Sequence, residues 1–177
     1  MELERKFMQF GTGISVTDGS EISGYASLFG KPDQGGDIVS QGAYESCLSR
    51  LATEGRQVKM LWQHDPARPI GVWDEVREDA KGLWVKGRIL SDVAQGREAI
   101  ALIAAGAIDG LSIGYRTKQA AKTPQGRQLQ EVDLWEVSLV TFPMLAEARV
   151  AAKSDKHAQE LQVLAAAFRD LRQAIQA

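Results

Sequence analysis

The fold is decided by residues 108–143, in which IDGLSIGYRTK (108–118) and LQEVDLWEVSLVTFP (129–143) flank the turn sequence TPQGRQ (123–128). Both segments are rich in the apolar and β-branched residues typical of strands, and Pro143 is expected to end the second. PIGVWDEVRED (69–79) and GLWVKGRIL (82–90) predict a second pair of strands joined by a turn at residues 79–82. These pairs favour an antiparallel sheet.

Two segments have the spacing of helices instead. QGAYESCLSRLATEG (41–55) carries apolar residues near helical spacing and stops at Gly55. The second helix contains AIALIAA, is expected to be capped by Ser91 or Asp92, and is expected to end at Gly106. Many short strands with two inserted helices favour an antiparallel sheet or barrel over repeated βαβ units.

Composition limits the possible partners. The 177 residues carry 21 Lys and Arg against 23 Asp and Glu, a formal net charge of −2, so phosphate-driven binding of nucleic acid is not expected. A single cysteine excludes an internal disulfide, and with only two histidines a Cys/His zinc site is not expected. The sequence contains no candidate membrane span, and the charged stretch MELERKFMQF lacks the apolar core of a secretory signal. We therefore expect a cytosolic chain that its own core stabilises.

The C-terminal segment differs from the rest. From residue 154 the strand signal ends, and apolar residues follow the 3-4 spacing of a heptad seam: Leu161, Leu164, Phe168, Leu171 and Ile175. We divide the chain into a domain at residues 1–153 and a C-terminal amphipathic helix at residues 154–177. Three interpretations of that helix are open: it packs on its own domain, it acts as a coiled-coil or docking segment, or it frays.

The segment Gly110–Gly114 matches G-x-S-x-G, the nucleophile elbow of α/β-hydrolases. An elbow needs a strand before the serine and a helix after it, whereas a helix precedes and strand-like residues follow here. Ser112 is better interpreted as a strand residue that shares a face with Gly114. Such a small residue either only packs within the sheet or is a nucleophile that the flanking glycines leave accessible to a peptide substrate.

Two further side chains stand out beside that serine. The run QVKMLWQHD (57–65) is expected to alternate between two faces, and it places His64 on one face and Asp65 on the other just before a loop. A neutral imidazole can take a proton from a serine hydroxyl. Glu136 interrupts an otherwise apolar strand, and a buried carboxylate needs a donor such as a histidine N–H. The alternatives are a structural histidine and an edge strand whose solvent face carries Glu136 and Ser138. Asp133 is the second choice for the carboxylate, and Asp65 is a poorer one.

Taken in order, these pieces resemble the HK97-type prohead proteases, the capsid maturation serine proteases of tailed phages. The resemblance covers roughly residues 22–152 and rests on GYASLFGKPDQGGDIVSQGAYESCL, MLWQHDPARPIGVWDEV, GLWVKGRIL, LSIGYR and EVDLWEVSLVTFPMLAEARV. It implies an α+β fold similar to that of the herpesvirus assembly protease, with a mainly antiparallel β-barrel core wrapped by two or three helices, plus a C-terminal helix. The mechanism that it implies requires no metal or organic cofactor. It also implies Ser112 as nucleophile and His64 as general base, with the third position on Glu136, or Asp133 as fallback. The herpesvirus relatives use a second histidine there, and the remaining histidine, His157, lies in the tail.

The resemblance further implies a function. Such enzymes work inside the assembling prohead, in the cytoplasm of the bacterial host, and cleave scaffold or the scaffolding segment of the major capsid protein, and themselves. The implied partners are the capsid precursor, the scaffold and the chain itself, with a possible oligomer through the C-terminal helix. Backbone groups of residues 146–150 and the Arg149 side chain are candidate oxyanion donors. A catalytically silent assembly module and a non-protease hydrolase or binding barrel are the alternatives.

Overall fold

The structure is a computed structural model that describes residues 4–8, 15–17, 20–124 and 126–142. Nine strands and two helices lie in this part of the chain. In chain order they are β1 (Glu4–Met8), β2 (Ser15–Thr17), β3 (Glu21–Leu28), β4 (Ile38–Val39), α1 (Glu45–Thr53), β5 (Lys59–Trp62), β6 (Asp65–Glu78), β7 (Gly82–Ile89), α2 (Ala94–Ala104), β8 (Gly110–Thr123) and β9 (Gly126–Val140).

The strands form one curled sheet, a half-barrel, with the order β1-β8-β9-β5-β6-β7-β3-β2 and with β4 pairing β9. Most pairs are antiparallel, as predicted, but β4 and β5 both run parallel to β9. Parallel neighbours need a longer connection than a hairpin allows, and the chain between β5 and β9 contains β6, β7, α2 and β8. β9 is therefore an interior strand, which excludes the edge-strand alternative for Glu136.

The inner face of the sheet and the two helices enclose the apolar core. Its largest fully buried side chains are Tyr44, Tyr115, Ile22, Met60, Ile70, Leu83, Leu111 and Ile113. Trp73 of β6 is also buried and donates its indole N–H to the Val137 carbonyl at 3.2 Å. This bond ties β6 to β9 across β5, at the level where the site lies.

The two predicted helices are present, but the start of the second differs from the prediction. The residue that caps α2 is Val93, with no side-chain cap bond, rather than Ser91 or Asp92. The carbonyl of Ser91 instead accepts a hydrogen bond from Arg97 at 2.9 Å. The helix ends as expected, because Gly106 takes the left-handed conformation with φ of 70°. The predicted C-terminal helix at residues 154–177 lies outside the described residues.

The run at residues 57–65 was expected to alternate between two faces, and this expectation was wrong. The register of β5 against β6 shifts after Met60 and again after Leu61, and both of these side chains are buried. The strand ends at Trp62, and the next two residues leave the strand conformation. Periodicity alone therefore could not place the side chain of His64.

Candidate active site

The register of β8 against β9 brings small and polar residues together on one face. Ser112 lies opposite Ser138, and Gly114 lies opposite Glu136. The register then shifts by one residue, so that Tyr115 lies opposite Leu134 and Trp135 is the extra residue. Residues two apart on a strand share a face, so the unbroken pairing on the Ser112 side of this shift places Glu136 and Ser138 on the same face as Ser112 and Gly114.

His64 reaches this face from a sharp turn that follows β5. Gln63 and His64 have φ of 52° and 62°, a left-handed conformation that residues other than glycine seldom adopt. Gln63 is held to the end of β9, because its N–H donates to the Leu139 carbonyl at 2.9 Å and its side chain exchanges two hydrogen bonds with Thr141, at 2.7 and 3.3 Å. The turn is therefore fixed from both its backbone and its side chain.

Three of the side chains singled out in the sequence form a continuous hydrogen-bonded chain. The Ser112 Oγ lies 2.6 Å from His64 Nε2, and His64 Nδ1 lies 2.5 Å from Glu136 Oε1. Because an ionised carboxylate only accepts, Nδ1 carries the proton in this arrangement and Nε2 is left to accept the hydroxyl proton of Ser112. We refer to Ser112, His64 and Glu136 as the triad.

The triad is withdrawn from solvent. Ser112, His64 and Glu136 are 0%, 4% and 3% exposed. A low-dielectric environment strengthens each charge–dipole interaction, and it also makes an unpartnered charge costly. Glu136 meets that requirement because both of its carboxylate oxygens have a partner, His64 on Oε1 and Ser138 on Oε2.

Gly114 provides the space that the carboxylate occupies. A Cβ atom built on this glycine would lie 2.7 Å from the Glu136 Cδ and 2.8 Å from its Cγ, closer than real Cβ contacts. The glycine was interpreted from the sequence as room for a substrate. In the structure the room beside it is filled by the Glu136 side chain.

The other candidate residues lie elsewhere. Asp133 accepts a hydrogen bond from Arg50, and Asp65 forms an ion pair with Arg68 at 3.3 Å. Burial alone would raise the pKa of Asp133, but hydrogen bonds from Cys47 and Arg50 outweigh it and lower that pKa. Its carboxylate is therefore engaged outside the triad. Residues 146–150, with Arg149, and His157 lie outside the described residues.

Sequence reasoning assigned Ser138 no role in the site. Its hydroxyl lies 2.5 Å from Glu136 Oε2 and 3.2 Å from the backbone nitrogen of His64, and the residue is fully buried. The available signal was its position two residues after Glu136, which predicts a shared strand face. That signal identified a neighbour of the carboxylate and gave no reason to connect the same hydroxyl with His64.

Comparison with known families places the chain in one of them. A family model described as caudovirus prohead serine protease matches residues 11–162, a range that includes all three triad residues. The chain belongs to this family. It is 34% identical over 148 residues to the prohead protease of Enterobacteria phage HK97, an alignment that covers 80% of the chain and 64% of that protein.

The chain is also similar to the capsid polyprotein of Pseudomonas phage PAJU2. The identity is 30% over 143 residues, covering 74% of the chain and 20% of the polyprotein. The chain thus spans less than two thirds of the length of either relative. Among solved structures, the bacteriophage T4 capsid assembly protease has a similar fold, with a TM-score of 0.65 at 17% identity, over 80% of this chain and 98% of that one.

The described residues also bear on two expectations about class. Neither α1 nor α2 has the length and apolar character needed to cross a membrane. Ser112 lies inside β8 with strand on both sides, so the strand–elbow–helix geometry of α/β-hydrolases is absent at this serine. The G-x-S-x-G match is therefore coincidental with respect to that fold.

Proposed function

We propose that this chain is a serine endopeptidase of capsid maturation, with Ser112 as nucleophile, His64 as general base and Glu136 as the residue that orients the histidine. The observation that carries the proposal is the hydrogen-bonded chain Ser112–His64–Glu136, with links of 2.6 and 2.5 Å. The Ser112–His64 separation lies within the range needed for proton transfer from a nucleophile to its base, and the link to Glu136 orients that base. Membership of the prohead serine protease family supports the same assignment.

The chemistry would be acyl transfer to water. Ser112 Oγ attacks the scissile carbonyl carbon while His64 Nε2 takes its proton, and the resulting imidazolium then protonates the leaving amine. A water molecule that gives a proton to the same nitrogen then attacks the acyl-enzyme, and His64 passes that proton to Ser112 Oγ as the bond between Oγ and the acyl carbon breaks. Glu136 stays ionised throughout and stabilises the imidazolium through Nδ1–H. No metal or organic cofactor takes part in this scheme.

The burial of the nucleophile has a consequence for substrate entry. Ser112 is 0% exposed, so a peptide carbonyl reaches its Oγ only after part of the surrounding structure moves. A protease that is closed in this way would cleave little until its substrate or its surroundings open it. Such latency suits an enzyme that has to wait until assembly brings it together with its substrate.

The proposed substrates are the scaffold or the scaffolding segment of the major capsid protein, together with the chain itself, cleaved inside the assembling prohead in the bacterial cytoplasm. The capsid polyprotein relative supports a capsid protein as partner, since a sequence similar to this chain is found within that polyprotein. The fold likeness to a T4 capsid assembly protease is consistent with this class of work.

The first test is co-expression of the chain with its capsid precursor, with products identified by intact mass. Wild type is compared with Ser112→Ala, and Ser27→Ala serves as the matched control, because Ser27 is equally buried and lies on β3 outside the triad. We expect trimming of the precursor or of the chain itself in wild type and in the Ser27 variant, and none in the Ser112 variant.

Two results would contradict the proposal. Equal trimming in wild type and Ser112→Ala would remove Ser112 as nucleophile. A complete lack of trimming by folded, precursor-bound wild type would favour a catalytically silent assembly module on the same fold.

We further propose that residues 154–177 form a separate docking helix that brings the domain at residues 1–153 to scaffold or capsid precursor. Deleting 154–177 should abolish incorporation into proheads while leaving cleavage of a free peptide unchanged. Normal incorporation of the truncated protein would disprove this role. Similarity of the fold to that of the herpesvirus assembly protease stays a prediction from the sequence resemblance.

A further inference from the structure

One hydroxyl group joins two parts of the site that come from different strands. The Ser138 Oγ–H donates to Glu136 Oε2 at 2.5 Å, and the same oxygen accepts the backbone N–H of His64 at 3.2 Å. Ser138 is 0% exposed, so water does not provide a replacement for either bond. The two partners are the carboxylate that orients the histidine and the backbone of the histidine itself.

The first bond fixes the plane of the carboxylate. His64 occupies only Oε1 of Glu136, and a carboxylate held at one oxygen can rotate about its terminal torsion, which is broad in glutamate. Ser138 holds the second oxygen, so rotation would break a charge-assisted hydrogen bond. The lone pair of Oε1 therefore stays directed at His64 Nδ1.

The second bond fixes the backbone that carries the imidazole. His64 has φ of 62°, a conformation that a residue with a Cβ keeps only where its surroundings favour it. The hydrogen bond from its N–H to Ser138 is one of the contacts that do so, together with those that Gln63 makes to the end of β9. The hydroxyl thus sets the distance between Glu136 and His64 from both sides.

We propose that Ser138 is a positioning residue of the triad, acting on the reaction through Glu136 and His64. This inference rests on the proposed serine protease function. Ser138 does not need to touch the substrate, and its effect should appear in the chemical step rather than in peptide binding. A serine that only packs between strands would instead be replaceable by alanine with little change in rate.

The test uses a peptide that spans a cleavage site mapped by intact mass, with Ser138→Ala compared with wild type and with Ser27→Ala. We expect Ser138→Ala to lower kcat by roughly 10- to 100-fold, the effect of one lost hydrogen bond to a charged group, with KM within about twofold of wild type. Ser138→Cys keeps a weak donor of similar shape, so its kcat should lie between those of wild type and Ser138→Ala. Ser27→Ala should match wild type.

Two readouts separate positioning from a structural role. In a Glu136→Gln background, adding Ser138→Ala should lower kcat by less than about threefold, because the carboxylate through which Ser138 acts is already gone. The Nδ1–H proton resonance of His64, which a strong bond to a carboxylate moves far downfield, should shift upfield in Ser138→Ala. Both experiments use the full chain, with folding checked by circular dichroism.

Several outcomes would overturn the inference. They are wild-type kcat in Ser138→Ala, equal rates in the Ala and Cys variants, an unchanged His64 resonance, or the same fold-loss with and without Glu136. Failure of the underlying function looks different, because either Ser112→Ala would keep activity or wild type itself would cleave nothing. Loss of activity in Ser112→Ala with full activity in Ser138→Ala would refute only the role of Ser138.

Discussion

Replacing Gly114 by alanine tests whether the carboxylate position governs activity. The added Cβ would lie 2.7 Å from the Glu136 Cδ, whereas an ordinary contact begins at 3.4 Å, so the carboxylate carbon must withdraw by about 0.7 Å. The side chain cannot swing away freely, because His64 and Ser138 hold both of its oxygens. The strain therefore passes into the triad or into the pairing of β8 with β9.

The expected magnitudes follow from that displacement. Overpacking a buried site costs about 1–3 kcal/mol of stability, so Gly114→Ala should fold with a lower melting temperature. A misplacement of about 1 Å among catalytic groups costs about 100-fold in rate, and we expect peptide cleavage to fall by that order. Activity is measured at a temperature where circular dichroism shows the variant to be folded. Gly35→Ala, whose Cβ meets only Asp33 Oδ1 at 3.3 Å, is the control.

A second substitution separates strain from catalysis. In Gly114→Ala/Glu136→Asp the shorter side chain makes room for the methyl group, so the melting temperature should recover toward that of Glu136→Asp alone. Activity should stay low, because the aspartate carboxylate is one methylene further from His64. A folded Gly114→Ala that cleaves at the wild-type rate would refute the reasoning, and so would activity that recovers in the double variant.

Three further predictions concern the triad and its surroundings. Glu136→Gln should lower kcat by about 10³–10⁴-fold, because an amide no longer selects the Nδ1–H tautomer of His64, and a loss below tenfold would contradict that role. An alkyl fluorophosphonate should label buried Ser112 slowly, and faster in urea concentrations that leave the circular dichroism native; a rate independent of urea would show that no opening is needed. Arg50→Ala should destabilise the fold at neutral pH and less so at acid pH. The pKa of Asp133 is lowered in the folded state, so this carboxylate contributes stability above its unfolded pKa of about 3.9, and that stability is lost as the pH falls through the folded pKa. Equal differences in urea midpoint between the variant and wild type at pH 7 and pH 3 would count against this.

The strands and helices could be predicted closely because their signals are local. GLWVKGRIL at 82–90 corresponds to β7, Gly82–Ile89, and the helix expected within residues 41–55 is α1, Glu45–Thr53. Apolar spacing and glycine stops act over a few residues, so a single sequence contains them. Pairing partners are not local. Nothing in the run at residues 57–65 indicates that β5 lies parallel to β9, a pairing that brings the end of β5 to Ser138.

The three triad residues were also found from the sequence, each as a chemical exception to its surroundings. A serine between glycines, a lone histidine at a strand end and a carboxylate in an apolar strand are visible without coordinates, and the family resemblance ordered them. The sequence left the choice between Glu136 and Asp133 open. The structure separates them spatially, because Asp133 is engaged with Arg50 and Glu136 with His64.

What the sequence by itself determined is therefore the composition of the site: which residue types are present, on which elements, and in which family. Only the tertiary structure decided how the side chains of these residues are oriented toward one another. The pairing of β8 with β9 places Glu136 on the face of Ser112, the left-handed turn at His64 brings the imidazole between them, and Ser138 hydrogen-bonds to both Glu136 and His64. Strand register and a positive φ are imposed by neighbouring strands, whose packing energy outweighs local backbone preference, and no local sequence signal records that balance.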